Sequence, residues 1–170
     1  GEWLSGGPLS SALLPLSWLY RALLALRALT YRVGLRRTQS LPVPVIVVGN
    51  WIVGGAGKTP TTLALLELLR ARGLRAGVVS RGYGRDGDGV HLVTRVSTAR
   101  DAGDEPLLIH LRTGAPLMVG RDRVAAARAL CAGHPEIDLI VSDDGLQHHR
   151  LARDVEVVVF DGRGVGNGLL

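Results

Sequence analysis

The chain of 170 residues holds a single cysteine, a single methionine, a single phenylalanine and, among 20 basic residues, a single lysine. The lone Cys131 excludes a disulfide scaffold and a cysteine-ligated metal cluster, and it suits a reducing compartment. Aromatic residues make up only 4% of the chain, and Trp3, Trp18, Tyr20 and Tyr31 all fall near its start. A nucleic-acid-binding body would interleave aromatics with a basic surface, so no nucleic-acid partner is expected. Charged residues at 21% against hydrophobic residues at 46% exclude disorder, and the length suits one domain with a real core. The 23 glycines and 8 prolines follow no collagen-like period and point to loops with work to do. No internal repeat or low-complexity linker interrupts the chain.

Charge is unevenly distributed. The formal net charge is +5, yet residues 1–40 carry five arginines against one glutamate, and residues 41–170 are nearly neutral. The pI near 10.3 is therefore chiefly a property of the N-terminal segment. Within it, a helix is predicted from about Pro15, suited to a first turn, to Gly34, suited to a stop. Ser17, Arg21, Ala28 and Arg32 share one face and leucines fill much of the rest, with Arg27 off the stripe. Arg21, Arg27 and Arg32 argue against a membrane span, and the charge-free stretch before them is broken by Gly6, Gly7, Pro8 and Pro15 and lacks the basic start of a signal peptide. Basic, aromatic and aliphatic residues in one terminal stretch read as an amphipathic element on an anionic membrane surface; the alternative is a terminal helix packed on the core.

From residue 43 the pattern becomes one of short β-branched runs alternating with helical periodicity. Strands are expected over residues 43–49, 75–80, 116–119, 138–142 and 155–161, with a short extra strand over 90–94. Helices are expected over 58–72, 104–112 and 121–132. Buried runs alternating with helices indicate an α/β fold with a mostly parallel sheet covered on both faces. The final glycine-rich stretch, 162–170, reads as a loop leading into further structure, so residues 41–170 are expected to be the first part of a longer domain.

The lone lysine stands where phosphate chemistry would put it. Residues Gly49-Asn50-Trp51-Ile52-Val53-Gly54-Gly55-Ala56-Gly57-Lys58-Thr59 follow a strand and open a helix, which is the setting of a P-loop. Closely spaced glycines let backbone N–H groups converge on phosphate oxygens, and the helix N-terminus adds partial positive charge. Lys58 then reaches the β- and γ-phosphates of ATP, and the Thr59 hydroxyl ligates Mg²⁺. The strict motif wants glycine at 52, where Ile52 stands, and the variant loop of partitioning ATPases carries a lysine where this chain has Val53. The plainer alternative is a glycine-rich turn without a ligand.

A P-loop needs an acid at the end of a neighbouring strand. Asp143 and Asp144, following Leu139-Ile140-Val141-Ser142, meet that need, and Mg²⁺ with phosphates would relieve their mutual repulsion. Which of the two lies nearer the metal is left open, as is a simple turn at Asp144-Gly145. Asp104 in Gly103-Asp104-Glu105-Pro106 is a candidate general base for an attacking hydroxyl, with Glu105 assisting the metal; the alternative is helix capping by Asp104. Arg81 and Arg85, in Arg81-Gly82-Tyr83-Gly84-Arg85, offer guanidinium forks for the ATP phosphates or an anionic acceptor, or else form a solvated loop. His148 and His149 are adjacent but lack further ligands and are assigned no metal.

Together these stretches resemble the tetraacyldisaccharide 4'-kinase family, the lipid A kinases of Gram-negative bacteria. The similar segments run in order along nearly the whole chain: residues 15–21, 48–60, 80–85, 103–106, 142–151 and 164–170. The resemblance implies transfer of the ATP γ-phosphate to the 4'-hydroxyl of a tetraacylated glucosamine disaccharide 1-phosphate at the cytoplasmic face of the inner membrane. It implies that Asp104 is the base, with Glu105, Asp143 and Asp144 near Mg²⁺ and ATP. Ile52 and Ala56 stand where the family often has threonine, and Leu146 where an aromatic is common. Family members also carry a second lobe that contributes a histidine paired with the catalytic aspartate, and no residue here matches it. The chain alone is therefore expected to bind nucleotide weakly. Two competing readings are a switch ATPase that acts on a protein partner and a nonenzymatic membrane-binding remnant.

Overall fold

A computed structural model describes residues 38–50 and 57–160. The N-terminal helix expected at 15–34, the glycine-rich segment 51–56, which includes Ile52, Val53, Gly54, Gly55 and Ala56, and the segment 164–170 lie outside the described residues.

The chain runs β1 (Val45–Asn50), α1 (Lys58–Ala71), β2 (Ala76–Ser80), β3 (His91–Val93), α2 (Ala99–Ala102), α3 (Asp104–Thr113), β4 (Leu117–Val119), α4 (Arg123–Gly133), β5 (Leu139–Asp143) and β6 (Val155–Val159). The strands form one sheet in the order β3-β4-β2-β5-β1-β6. All pairings are parallel except the short edge pair β3 with β4. The mostly parallel, two-faced α/β sheet expected from the alternation is therefore the one observed.

The central strands are apolar on both faces because each face is covered. Every residue of β5 is buried, and so are Val78 and Val79 of β2. On one face Leu66 and Leu69 of α1 and Ile109 of α3 pack against Val48, Val78 and Val141. On the other, Val124, Ala126, Ala127 and Leu130 of α4 pack against Val45, Val47, Val79 and Ile140. The period of two along each strand thus assigns alternate residues to alternate layers. Each such leucine contributes about 2 kcal/mol by leaving water.

Element boundaries follow local chemistry. Helix α1 ends at Ala71 with Arg72 as its C-cap, and Gly73 beyond it turns the chain away with a left-handed φ of 78° that no Cβ opposes. Helix α4 starts at Arg123, two residues later than expected, because Asp122 is its N-cap and accepts from Val124 N and Ala125 N at 3.0 and 3.2 Å. The four-residue α2 was not expected. It rests on a capping box in which Thr98 and Asp101 satisfy each other's backbone and side chain.

Candidate active site

Because β4, β2, β5 and β1 are parallel neighbours, the loops after them all leave one edge of the sheet. This is the edge at which open α/β sheets bind ligands. It collects Gly120 to Asp122 after β4, the Arg81–Arg85 loop after β2, Asp143 and Asp144 at the end of β5, and Gly57 with Lys58 after β1.

Helix α1 opens toward this edge without a side-chain cap and without an acidic residue in its first turn. Its N-cap, Gly57, has φ 78°, a left-handed turn that delivers Lys58 and Thr59 as the first helical residues. Its positive end is therefore not neutralised by a carboxylate of its own, as an anion site requires.

Lys58 Nζ donates to Asp144 Oδ1 at 2.8 Å, with the lysine side chain 20% and the carboxylate 53% exposed. Asp144 stands at φ 54°, a left-handed conformation that is unfavourable for a side-chain-bearing residue and that redirects the chain immediately past β5. Asp143, by contrast, is buried. Its Oδ1 accepts from Thr62 Oγ1 at 3.0 Å, and Ser80 Oγ lies 3.5 Å from Oδ2. Burial pushes the Asp143 carboxyl above its ordinary range; the Thr62 hydroxyl opposes that, and the charges of Glu105 and Asp144 add to it. The two adjacent acids thus face different partners, Thr62 for Asp143 and Lys58 for Asp144.

Asp104 and Glu105 are exposed in the first turn of α3. Gly103, not Asp104, is the N-cap, so the Asp104 carboxylate is not spent on capping. The Arg81–Arg85 loop is pinned to this turn: a Cβ on Gly82 would lie 2.8 Å from the Ala102 carbonyl oxygen, and one on Gly103 would lie 2.8 Å from that of Tyr83. Arg81, Arg85 and Arg121 line a cavity beside it. Arg121 Nε pairs with Asp88 at 2.9 Å, and Arg85 donates to the Gly89 carbonyl.

Sequence reasoning assigned no role to four buried polar residues here: Thr62, Ser80, Ser142 and Arg123. Thr62 was detectable as the residue one turn beyond Thr59 on a helix that must face the sheet. Arg123 reads in sequence as one more arginine of a helical segment. It is 2% exposed, and burial pulls its guanidinium down to about 10, opposed by Asp144 and Asp143. His148 and His149 line a separate hollow with Asp122, Arg123 and Arg150. No group of three or more His, Cys, Asp or Glu able to hold a metal occurs among the described residues.

A parallel α/β sheet with a lysine-headed helix after its first strand and acids at the end of the adjoining strand defines a P-loop-like protein. Comparison with known proteins narrows the class. The family described as Tetraacyldisaccharide-1-P 4'-kinase matches residues 9–170. The tetraacyldisaccharide 4'-kinase of Methylibium petroleiphilum is 60% identical over 99% of this chain and 47% of its own length. That of Janthinobacterium sp. is 56% identical over 99% of this chain and 48% of its own. LpxK of Aquifex aeolicus, solved in complex with ATP, superposes with a TM-score of 0.77 at 34% identity, over 88% of this chain and 48% of that one. The chain belongs to the tetraacyldisaccharide 4'-kinase family, and it spans about half the length of the curated relatives it matches.

Proposed function

We propose that this chain is the nucleotide-binding part of an ATP-dependent kinase that phosphorylates the 4'-hydroxyl of an acylated glucosamine disaccharide phosphate. The observation that carries the reading is the Lys58–Asp144 pair at 2.8 Å beside the buried Asp143, at the end of the strand next to the phosphate loop. Lys58 is held by the Asp144 carboxylate, and the β- and γ-phosphates would compete for it when ATP binds. Residues 52–59 and Arg81 then surround the triphosphate, with Lys58 offsetting the charge that accumulates on the transferred phosphoryl group.

Asp104 serves as general base. The acceptor hydroxyl forms an O–P bond to the γ-phosphorus as the bond to the ADP oxygen breaks, and the hydroxyl proton passes to the Asp104 carboxylate. The donor set suits Mg²⁺, which needs only one or two carboxylates when phosphates and water complete its shell. Thr59 with one or two of Glu105, Asp143 and Asp144 would hold it, and like charges gathered around a buried acid fit a cation better than an apolar ligand. When bound, the metal neutralises phosphate charge. Positioning by this chain supplies most of the rest.

An assay of phosphoryl transfer from ATP to a disaccharide phosphate lipid in detergent tests the reading. Asp104→Ala abolishes transfer and leaves ATP binding nearly intact; surviving transfer removes Asp104 as the base. ATP hydrolysis that answers to a protein partner and ignores the lipid would replace the kinase with a switch ATPase.

The basic N-terminal segment is proposed to dock on an anionic membrane, the cytoplasmic face of the inner membrane, bringing the lipid acceptor to the site. Among the described residues no helix is long and apolar enough to cross a membrane. A chain lacking residues 1–36 should no longer sediment with anionic vesicles; unchanged sedimentation would end the membrane argument.

A further inference from the structure

Among the described residues three buried side-chain polar atoms have no hydrogen-bond partner: Nε and Nη2 of Arg123 and Oγ of Ser142. They belong to one face of one end of the sheet. Ser142 follows the alternation of β5 in which Ile140 points into the α4-side core, while its neighbour Asp143 turns to Thr62 on α1. Arg123 is the first residue of α4, which covers that same face.

The guanidinium is held by one corner. Its Nη1 donates to the Gly120 carbonyl at 2.7 Å, which leaves the Nε–Nη2 edge. That edge is the side-on fork whose two parallel N–H groups match two oxygens of a phosphate or a carboxylate. Three carboxylates of the neighbourhood already hold other partners. Asp122 gives Oδ1 to the first turn of α4 and Oδ2 to Arg150 at 3.3 Å. Asp143 holds the Thr62 hydroxyl, and Asp144 holds Lys58. A buried guanidinium with two unmet donors is costly, and natural proteins keep such a group where something else completes it. Arg81 lies within electrostatic reach and adds a second positive charge to the place.

We infer that Arg123 is a phosphate contact of this site, its Nε–Nη2 edge receiving two oxygens of a phosphate group bound at the sheet edge. The inference rests on the kinase reading, which brings two phosphates to this edge: the γ-phosphate of the nucleotide and the phosphate that the acceptor already carries. The shared chemistry is a phosphate oxyanion, and the test separates the sources.

The experiment follows the Arg123 Nε–H resonance in ¹H–¹⁵N spectra of the chain, assigned by its disappearance in Arg123→Lys. The probes are ADP, a non-hydrolysable ATP analogue and glucosamine 1-phosphate, each with Mg²⁺. A shift with the analogue but not with ADP assigns the γ-phosphate; a shift with the sugar phosphate assigns the acceptor. Arg123→Lys should weaken the responding probe about 10- to 100-fold, as loss of a charged bidentate contact does. A resonance unmoved by all three probes while the analogue still binds overturns the inference and leaves the nucleotide reading standing. A resonance that shifts in ligand-free Asp144→Asn, and in no phosphate titration, overturns it too, by naming Asp144 as the partner. Failure of every probe to bind rejects both readings.

Discussion

Asp138 and Asp143 stand at opposite ends of the same buried strand, and their surroundings push them in opposite directions. Asp138, just before β5, accepts from the Arg75 backbone N–H at 2.7 Å and lies 3.6 Å from its guanidinium, out in solvent. The backbone hydrogen bond, with the Arg75 charge assisting, holds its carboxyl below the usual range. Asp143 has no such donor. It is 2% exposed, meets hydroxyls rather than backbone N–H groups, and is raised by burial and by neighbouring acids. The first carboxylate is a fastening between β5 and the start of β2. The second is kept under electrostatic tension, a condition that only a further positive charge relieves. A pair of aspartates flanking one strand therefore separates stability from function, with polarity along the strand deciding which is which.

Substitutions should separate the two ends. The largest effect is expected at the tense end: Asp143→Asn keeps the acceptor for Thr62 but removes the buried charge, so phosphoryl transfer should fall about 100- to 1000-fold. Its melting temperature should equal or exceed that of the parent; a clear loss of stability with retained transfer would erase the contrast. Next, Thr62→Val leaves the Asp143 carboxylate without its nearest donor and should cost about 2 kcal/mol. Calorimetry should register this as a melting temperature lower by roughly 6 °C. Asp138→Ala comes third, with a slightly lower melting temperature and unchanged transfer.

The smallest effect is in the pH dependence. Since the folded-state pKa of Asp138 is lowered, its stabilisation is present above the ordinary carboxylate value and lost as pH falls through the folded value. Asp138→Asn should therefore flatten part of the acid limb of a melting-temperature profile. For Asp143 the sign reverses: its folded-state pKa is raised, so wild type gains stability as pH falls through that value. Asp143→Asn should remove that gain, and identical profiles for the two variants would refute the contrast.

Much of this was readable in the residues. The β-branched runs gave the strands because a strand covered on both faces has little use for polarity, and the stretch ending in Asp143 was placed within one residue. Helix α1 was legible from its leucines and from Gly73. Helix α2 was not, because four residues carry no periodicity, and only the Thr98–Asp101 exchange marks them. Of the expected site, Lys58, Asp143 and Asp144 come together at one sheet edge, while residues 52–56 fall outside the described chain. Arg123 escaped because burial of a polar side chain depends on which way a helix faces, a property of tertiary packing that local composition does not encode, whereas the spacing of Thr62 from Thr59 on α1 did carry a signal.

The mutual approach of Gly82 and Gly103 has a genetic consequence. Each carries a positive φ, 68° and 87°, and each lies against the other's neighbouring carbonyl, so the arginine loop and the Asp104 turn share one contact. A side chain at either position pushes the same two segments apart. The second substitution then finds the damage already done, and the double variant should be far less impaired than the product of the singles. Such a pair is inherited as a unit: drift at one glycine opens the other to drift, and selection sees a single locus spread over two loops.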